Sequence, residues 1–322
     1  MNERVNNDPS CQDDYDPNSM PVDAALARID TAIEPLNGFE RVAIRSALDR
    51  ILAEDVRSPL NVPAFANSAM DGYAVHSADL PADGTTELSL AGKAFAGVPF
   101  AGEVPRGQCV RIMTGAVMPT GTDTVIMQEH TEATDNGIRI GGGHRAGQNV
   151  RHPGEDVAEG QAVLHAGRRI VPADLGLLAS LGIAEVAVKR RLRVAFFSTG
   201  DELRSIGEPL DEGEIYDSNR YSLYGMLARL GADIVDMGVI PDEREAVRQA
   251  FHAAMDSADA LITTGGVSVG EADYVKETLE ELGEVNFWKI AMKPGRPLAF
   301  GRLADTYFFG LPGNPVSTMV TF

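Results

Sequence analysis

The spacing of apolar residues divides the chain into three textures. From residue 21 to about 56 it is helical. Val22, Leu26, Ile29 and Ile33 recur at helical intervals up to Pro35. Ile44, Leu48, Ile51 and Leu52 do so again, which predicts a second helical segment. Pro59, Pro63 and the run NVPAFANSAMDGYAV then break the pattern. From about 70 to 190, short apolar runs (YAV, LSLAGKAF, QCVRIM, DTVIM, GIRI, QAVL, EVAV) alternate with Gly and Pro. This is the texture of short strands and turns. One helix is predicted within it, from Ala173 to Leu181, opened by Pro172 and stopped by Gly182.

From Arg193 strands alternate with helices. VAFFS (194–198) is apolar without alternation, as a strand buried on both faces must be. Leu223, Met226, Leu227 and Leu230 then mark a helix that Gly231 ends. DIVDMGVI reads as the second strand. A helix follows in which Asp242 and Glu245 have the spacing of a capping box and Val247, Ala250, Phe251 and Ala254 share a face. DALITTGG is the third strand, Val275, Leu279 and Leu282 mark the next helix, and VNFWKI and TYFFGL read as later strands. This alternation predicts a mostly parallel sheet with helices on both faces.

With 322 residues the chain is long enough for two or three domains. A net charge of −19 and 6% aromatic residues argue against binding nucleic acid or an anionic membrane. A phosphate-bearing small ligand needs only a local group of cations and N–H donors. The first twenty residues are polar and read as a disordered tail without a signal peptide, and no segment is long enough to span a membrane. Two cysteines, Cys11 and Cys109, suggest a reducing compartment, so a cytoplasmic protein is expected. The six histidines show no metal-ligand spacing.

Candidate chemistry gathers where strands end. TTGGVSVGEADY (263–274) joins a buried strand to a helix, the position at which open α/β sheets bind ligands. Gly265, Gly266 and Gly270 would let backbone N–H groups approach an anion. The pattern is neither a dinucleotide fingerprint nor a P-loop, and an ordinary tight turn accounts equally well for the glycines alone. Ser268 adds a hydroxyl. Glu271 and Asp273 add carboxylates suited to magnesium, although Glu271 also fits as a first-turn charge. The first strand runs into STGDEL with Asp201 and Glu202, the second into Asp242, and the last into LPGNPVS. Asp242 reads as a helix N-cap at least as well as a catalytic group. Lys289, Lys293 and Arg296 in WKIAMKPGRP make a local basic cluster that an oxyanion would favour over a plain solvated strand exit.

NSAMDGYAV (67–75), RIMTGA (111–116), FSTGDEL (197–203), GGVSVGEADY (265–274), KPGRP (293–297) and LPGNPVS (311–317) resemble, in this order, the motifs of the molybdopterin molybdenumtransferase family, which includes the gephyrin E domain. The resemblance is continuous from about residue 20 to Phe322. It implies a multidomain α/β plus β-rich protein. A discontinuous helical and β N-terminal domain (21–58 and 155–190) would surround an inserted β-rich domain (59–154). An α/β/α molybdopterin-binding domain (191–322) would follow, without the β-rich C-terminal domain of the family.

The resemblance further implies an elongated cytoplasmic homodimer that takes adenylylated molybdopterin and molybdate with Mg2+, releases AMP and yields molybdenum cofactor. The molybdopterin adenylyltransferase and recipient molybdoenzymes would be its partners. By matching motifs, Asp71, Asp242, Lys289 and Lys293 would be catalytic. Thr114, Arg151, Asp156, Gly265, Gly266, Ser268, Arg296, Pro312 and Pro315 would bind substrate, with Ser268, Lys293 and Arg296 on molybdate. Glu202 and Asp273 would hold the metal. Arg296 stands where several relatives have lysine, and His152 and Pro153 stand where basic residues are common. Two other readings remain open: the preceding adenylyltransferase, and a non-catalytic scaffold of the gephyrin E type.

Overall fold

The computed structural model describes residues 19–265 and 274–322. Contacts divide the chain into two compact units, one of residues 39–189 and one joining the segment before residue 39 to residues 190–322.

The 39–189 unit holds separate cores. In one, Ala47, Leu52, Leu164, Ile170, Leu178, Val186 and Val188 pack together. Strand Phe39–Ala43 pairs antiparallel with Glu185–Lys189, and helix Pro172–Ser180 covers this core. Arg168 grips the buried Asp174 of that helix through two hydrogen bonds of 3.0 Å, and the same carboxylate accepts from Val171 N–H. The segment predicted as a second helix is therefore different. It is a strand, a short 3₁₀ turn at Ile44–Ser46, and backbone bridges from Ile51 to Arg169 and Leu52 to Val188. The apolar spacing misled because Leu48 and Ile51 stay exposed, while Asp49 takes a φ of +64° that no helix allows.

The rest of this unit is a six-stranded sheet in the order Thr124–Met127, Gly72–Val75, Gln108–Ile112, Thr85–Ala94, Gly137–Gly141, Thr131–Thr134. Consecutive residues point to opposite faces of a strand. Here both faces are covered, with Ala74, Val110 and Val125 in one cluster and Val75, Cys109 and Ile126 in another. That is why these strands read as continuous apolar runs.

The second unit is an α/β sandwich. Its elements, numbered along the unit, are α1 Val22–Ala32, β1 Arg193–Thr199, α2 Ser218–Leu230, β2 Asp233–Ile240, α3 Arg244–Ser257 and β3 Ala260–Thr264. They continue with α4 Tyr274–Leu282, β4 Glu284–Lys289, β5 Pro297–Leu303, β6 Thr306–Leu311 and α5 Pro315–Thr321. The sheet order is β2-β1-β3-β6-β5-β4. β2, β1, β3 and β6 are parallel neighbours, and β5 alone runs antiparallel to both its neighbours. Alternation along β1 sends Ala195 and Phe197 toward α3 and α4, and Val194 and Phe196 toward α1 and α2. Phe251 of α3 sits between Phe197 and Phe308 with ring centroids 5.5 and 5.8 Å apart. Removing such a ring costs about 3–5 kcal/mol.

α1 lies where its apolar spacing predicts, but it joins this unit rather than the 39–58 segment with which the sequence grouped it. It buries Ala25 against the sheet, sets Arg28 over Trp288 at 5.8 Å, and leaves Val22, Leu26 and Ile33 exposed. Tyr307 Oη accepts from Glu34 N–H at 2.8 Å just past its end. Among the described residues no helix is long and apolar enough to cross a membrane.

Candidate functional site

In the 39–189 unit the site residues come together through backbone pairing. Strand Asn67–Ser68 pairs with Val150–Arg151, which sets Arg151 opposite Asn67. Ser68 C=O accepts from Gly115 N–H at 2.8 Å, which draws in the loop bearing Thr114. Asp71 Oδ1 then accepts from both the N–H and the hydroxyl of Thr114, each at 2.8 Å. Those two donors, backbone first, hold the Asp71 carboxyl below its ordinary value, with the charge of Arg111 assisting. Arg111 itself lies over the Tyr73 ring at 4.9 Å and donates to Gln128. Gly72 is required: a Cβ there would sit 2.0 Å from Ile126 C=O. Arg151 and Asp156 form an ion pair at 3.4 Å with both side chains half exposed, an arrangement worth little in water.

In the α/β unit the carboxyl edge of the sheet carries the second group. β1 leads into Gly200, Asp201 and Glu202. The bare Cα of Gly200 makes room for the Glu202 carboxylate, since a Cβ would lie 2.6 Å from Oε2. β2 leads into Pro241 and Asp242. Glu243 occupies the cap position of α3 without a side-chain cap bond, so Asp242 is not the N-cap that its spacing suggested. Its carboxyl is pushed above its ordinary value, chiefly by burial and then by the charges of Asp201 and Glu202. Beside it opens a pocket of about 560 Å³ lined by Gly200, Asp201, Arg204, Glu208, Val239 and Pro241.

Gly265 closes the end of β3 with a φ of +87°, and a Cβ would meet Thr199 C=O at 2.8 Å. Its N–H donates to Leu311 C=O at 3.2 Å, which ties the ends of β3 and β6 together. The loop after β6 is fixed by its own bonds. Pro312 C=O accepts from the Thr318 hydroxyl at 2.6 Å, and Asn314 caps the helix that Pro315 starts. Pro312 and Pro315 thus shape that loop. Gly266, Ser268, Gly270, Glu271 and Asp273 lie outside the described residues.

Lys289 ends β4. The connection to β5, which the sequence left unread as a strand, carries Lys293 and Arg296 and is closed by Ile290 N–H donating to Arg296 C=O at 2.7 Å. The acidic and basic groups share one edge of the sheet but stand at its opposite ends. Four strand spacings of about 4.8 Å separate β1 from β4, roughly 19 Å. Oxygen donors such as Glu202 and Asp201 suit Mg2+. Among the described residues, however, no three His, Cys, Asp or Glu side chains are grouped as a metal cage. Cys109 is buried and its thiol is pushed up to about 11, so it is no nucleophile. At the start of α2 two buried polar residues have structural bonds: Asp217 Oδ1 accepts from Arg220 N–H at 3.1 Å, and Asn219 Nδ2 donates to Gly313 C=O at 2.7 Å.

Residues 20–182 match the family model described as MoeA N-terminal region (domain I and II), and residues 195–322 match that described as Probable molybdopterin binding domain. The molybdopterin molybdenumtransferase of Haemophilus influenzae is 53% identical over 284 residues, covering 88% of this chain and 70% of that protein. Gephyrin of Dictyostelium discoideum is 36% identical over 350 residues, and the match covers 95% of this chain but 48% of gephyrin. Among solved structures, the molybdopterin biosynthesis MoeA protein from Pyrococcus horikoshii superposes with a TM-score of 0.80 at 33% identity. That match covers 93% of this chain and 76% of the other.

Proposed function

Because the chain belongs to the molybdopterin molybdenumtransferase family, we propose that it inserts molybdate into adenylylated molybdopterin, releasing AMP and yielding molybdenum cofactor. The observation that carries this reading is the carboxyl edge of the α/β unit. Asp242 there has a raised carboxyl beside Asp201 and Glu202, with Lys293 and Arg296 on the same edge.

In the proposed reaction the two dithiolene sulfurs displace oxygen from molybdate, which leaves as water with the thiol protons, and a water is added across the phosphoric anhydride so that AMP leaves. Lys293 and Arg296, with Lys289 and Ser268, are suited to an oxyanion, the arginine as a planar fork and the lysines as point charges. Asp242, whose carboxyl holds its proton more readily than an ordinary aspartate, is the better base of the two candidate-site aspartates for the proton of the added water. Asp71 is already engaged by two donors, so its proposed role is to fix Thr114. Thr114, Arg151 and Asp156 are then proposed to contact substrate.

Magnesium, held on Glu202 with Asp273, would when bound neutralise the phosphates at the cleaved bond. The neighbouring carboxylates supply the fit: their mutual repulsion is what a divalent cation relieves. The exposed apolar side chains Val22 and Leu26 on α1 and Ile33 just past its end support a homodimer, and an acidic chain with one buried free thiol among the described residues supports a cytoplasmic setting.

The test is AMP release from adenylylated molybdopterin by the purified chain. The expected result is release that requires both Mg2+ and molybdate. ATP-dependent adenylation of the pterin without molybdate would instead indicate the adenylyltransferase, and peptide binding without AMP release the scaffold.

A further inference from the structure

β2 is an edge strand of the α/β sheet, and it does not pair evenly with β1. From Arg193 opposite Asp233 to Phe196 opposite Asp236 the two strands advance together. Beyond that point Ser198 faces Val239 and Thr199 faces Ile240, so β2 carries one extra residue. This is a β-bulge at Met237 and Gly238. Gly238 takes a φ of +81°, which a glycine adopts without strain.

An inserted residue exchanges the two faces of a strand beyond it. The packing shows that exchange. Ile234 belongs to the core on the α2 side, and Val235 and Met237 to the core on the α3 side. Plain alternation would put Val239 on the α3 side as well. Ile240 is there instead, while Val239 and Pro241 line the pocket beside Asp242. The bulge therefore decides what the carboxyl end of β2 presents to the pocket.

Two side chains hold it. Asp236 Oδ1 accepts from Gly238 N–H at 3.0 Å, across the bulge. Arg220, in the first turn of α2, donates from Nε to both oxygens of the same carboxylate, at 2.8 and 3.0 Å. Its guanidinium reaches over Gly238, with Nη1 3.8 Å from where a Cβ would stand. The pair is partly exposed, at 24% for Arg220 and 30% for Asp236, so it adds little to global stability. Its effect is local. We propose that Arg220 and Asp236 are positioning residues: they hold the bulge that turns Val239 and Pro241 to the pocket and sets Asp242 beside Asp201 and Glu202. What Asp242 does there rests on the transferase reading, whereas the hold on the bulge does not.

The test reads the face of the strand by thiol modification. Cys11 is replaced by serine, which leaves only the buried Cys109 as background. Val239→Cys and Ile240→Cys are introduced one at a time, in the parent, in Arg220→Met and in Asp236→Asn. In the parent the thiol at position 239 should react faster than the thiol at 240. Arg220→Met should reverse that order. Asp236→Asn keeps an acceptor for Gly238 N–H and loses the charge that holds Arg220, so it should narrow the difference. Mere loosening of the strand would speed both thiols, so lost stability cannot imitate a reversal. Arg190→Met breaks another arginine–aspartate pair, to Asp259 at 2.7 and 2.8 Å, at the amino edge of the same sheet, and should leave the parental order. The parental order in Arg220→Met, or the same reversal in Arg190→Met, overturns the proposal. Should Arg220→Met not fold, an unchanged difference in Asp236→Asn overturns it. AMP release is measured on the same substitutions without the added cysteines. Arg220→Met should lower kcat about tenfold or more with a smaller change in KM, because the displaced group is the proposed base. A reversed thiol order with parental kcat would refute the positioning of Asp242. If the parent itself releases no AMP, the transferase reading fails, and the thiol order still decides whether Arg220 and Asp236 hold the bulge.

Discussion

Asp71 and Asp242 are two candidate-site aspartates in opposite surroundings. Asp71 lies in the β-rich part of the 39–189 unit, where both donors of Thr114 hold its carboxyl down. Asp242 lies at the carboxyl edge of the α/β sheet, where burial and two acidic neighbours push it up. The same side chain is thus an acceptor engaged by two donors in one unit and, in the other, a carboxyl that holds its proton more readily, which is the ground for its proposed role as proton acceptor. Environment, rather than residue type, separates positioning from proton transfer.

The largest effect is expected at Asp242. Asp242→Ala should lower the rate of AMP release by about 10²–10⁴-fold, the range of a lost general base. In the parent, kcat/KM should climb as pH rises through the raised carboxyl value, and the variant should lose that limb. If the limb survives, Asp242 is not the base. Next comes Gly72→Ala. Its Cβ would strike Ile126 C=O, so the backbone that carries Asp71 must shift, at a cost of about 1–3 kcal/mol measured by denaturant unfolding. An unchanged midpoint would mean that the Asp71 loop is looser than its hydrogen bonds indicate.

Asp71→Asn should be milder, on the order of tenfold in rate, because an amide oxygen still accepts from Thr114 but without charge assistance. Its pH profile should keep the parental limb. Loss of the limb in this variant would collapse the distinction between the two aspartates.

Stability should separate them as well. A lowered carboxyl contributes stability that is present above its unfolded value and lost as pH falls through its folded value. Asp71→Asn should therefore unfold at lower temperature than the parent at pH 7, with the gap closing in acid. A raised carboxyl has the opposite sign: its contribution is full below the unfolded value and lost as pH rises through the folded one. Asp242→Asn should accordingly melt slightly above the parent at pH 7. Arg151→Ala should do least, within about 1 kcal/mol, because its partner Asp156 is equally exposed.

Much of the α/β unit was legible because burial on both faces leaves a plain signal. VAFFS and the Val247, Ala250, Phe251, Ala254 face could be read directly. The strand Pro297–Leu303 could not, since PLAFGRL opens on proline and contains glycine and arginine. The segment from Ile44 to Leu52 failed for the opposite reason: its helical spacing is genuine, but long-range pairing with 185–189 decides its structure. At the site, the motifs marked Asp71, Thr114, Glu202 and Asp242, yet the pairing of Asp71 with Thr114 links residues 43 positions apart. Asp242 also looked like a helix cap until Glu243 was seen in that place. Asn219 carried no signal at all, because its bond to Gly313 C=O, 94 positions away, exists only in three dimensions.

The most direct test of the proposed reaction is the pH dependence of AMP release from adenylylated molybdopterin, with Mg2+ and molybdate each present or withheld. Release is expected only when both are present, with a rate that rises through a carboxyl titration and loses that rise in Asp242→Ala. Release that ignores molybdate, or a variant with the parental rate and profile, would contradict it.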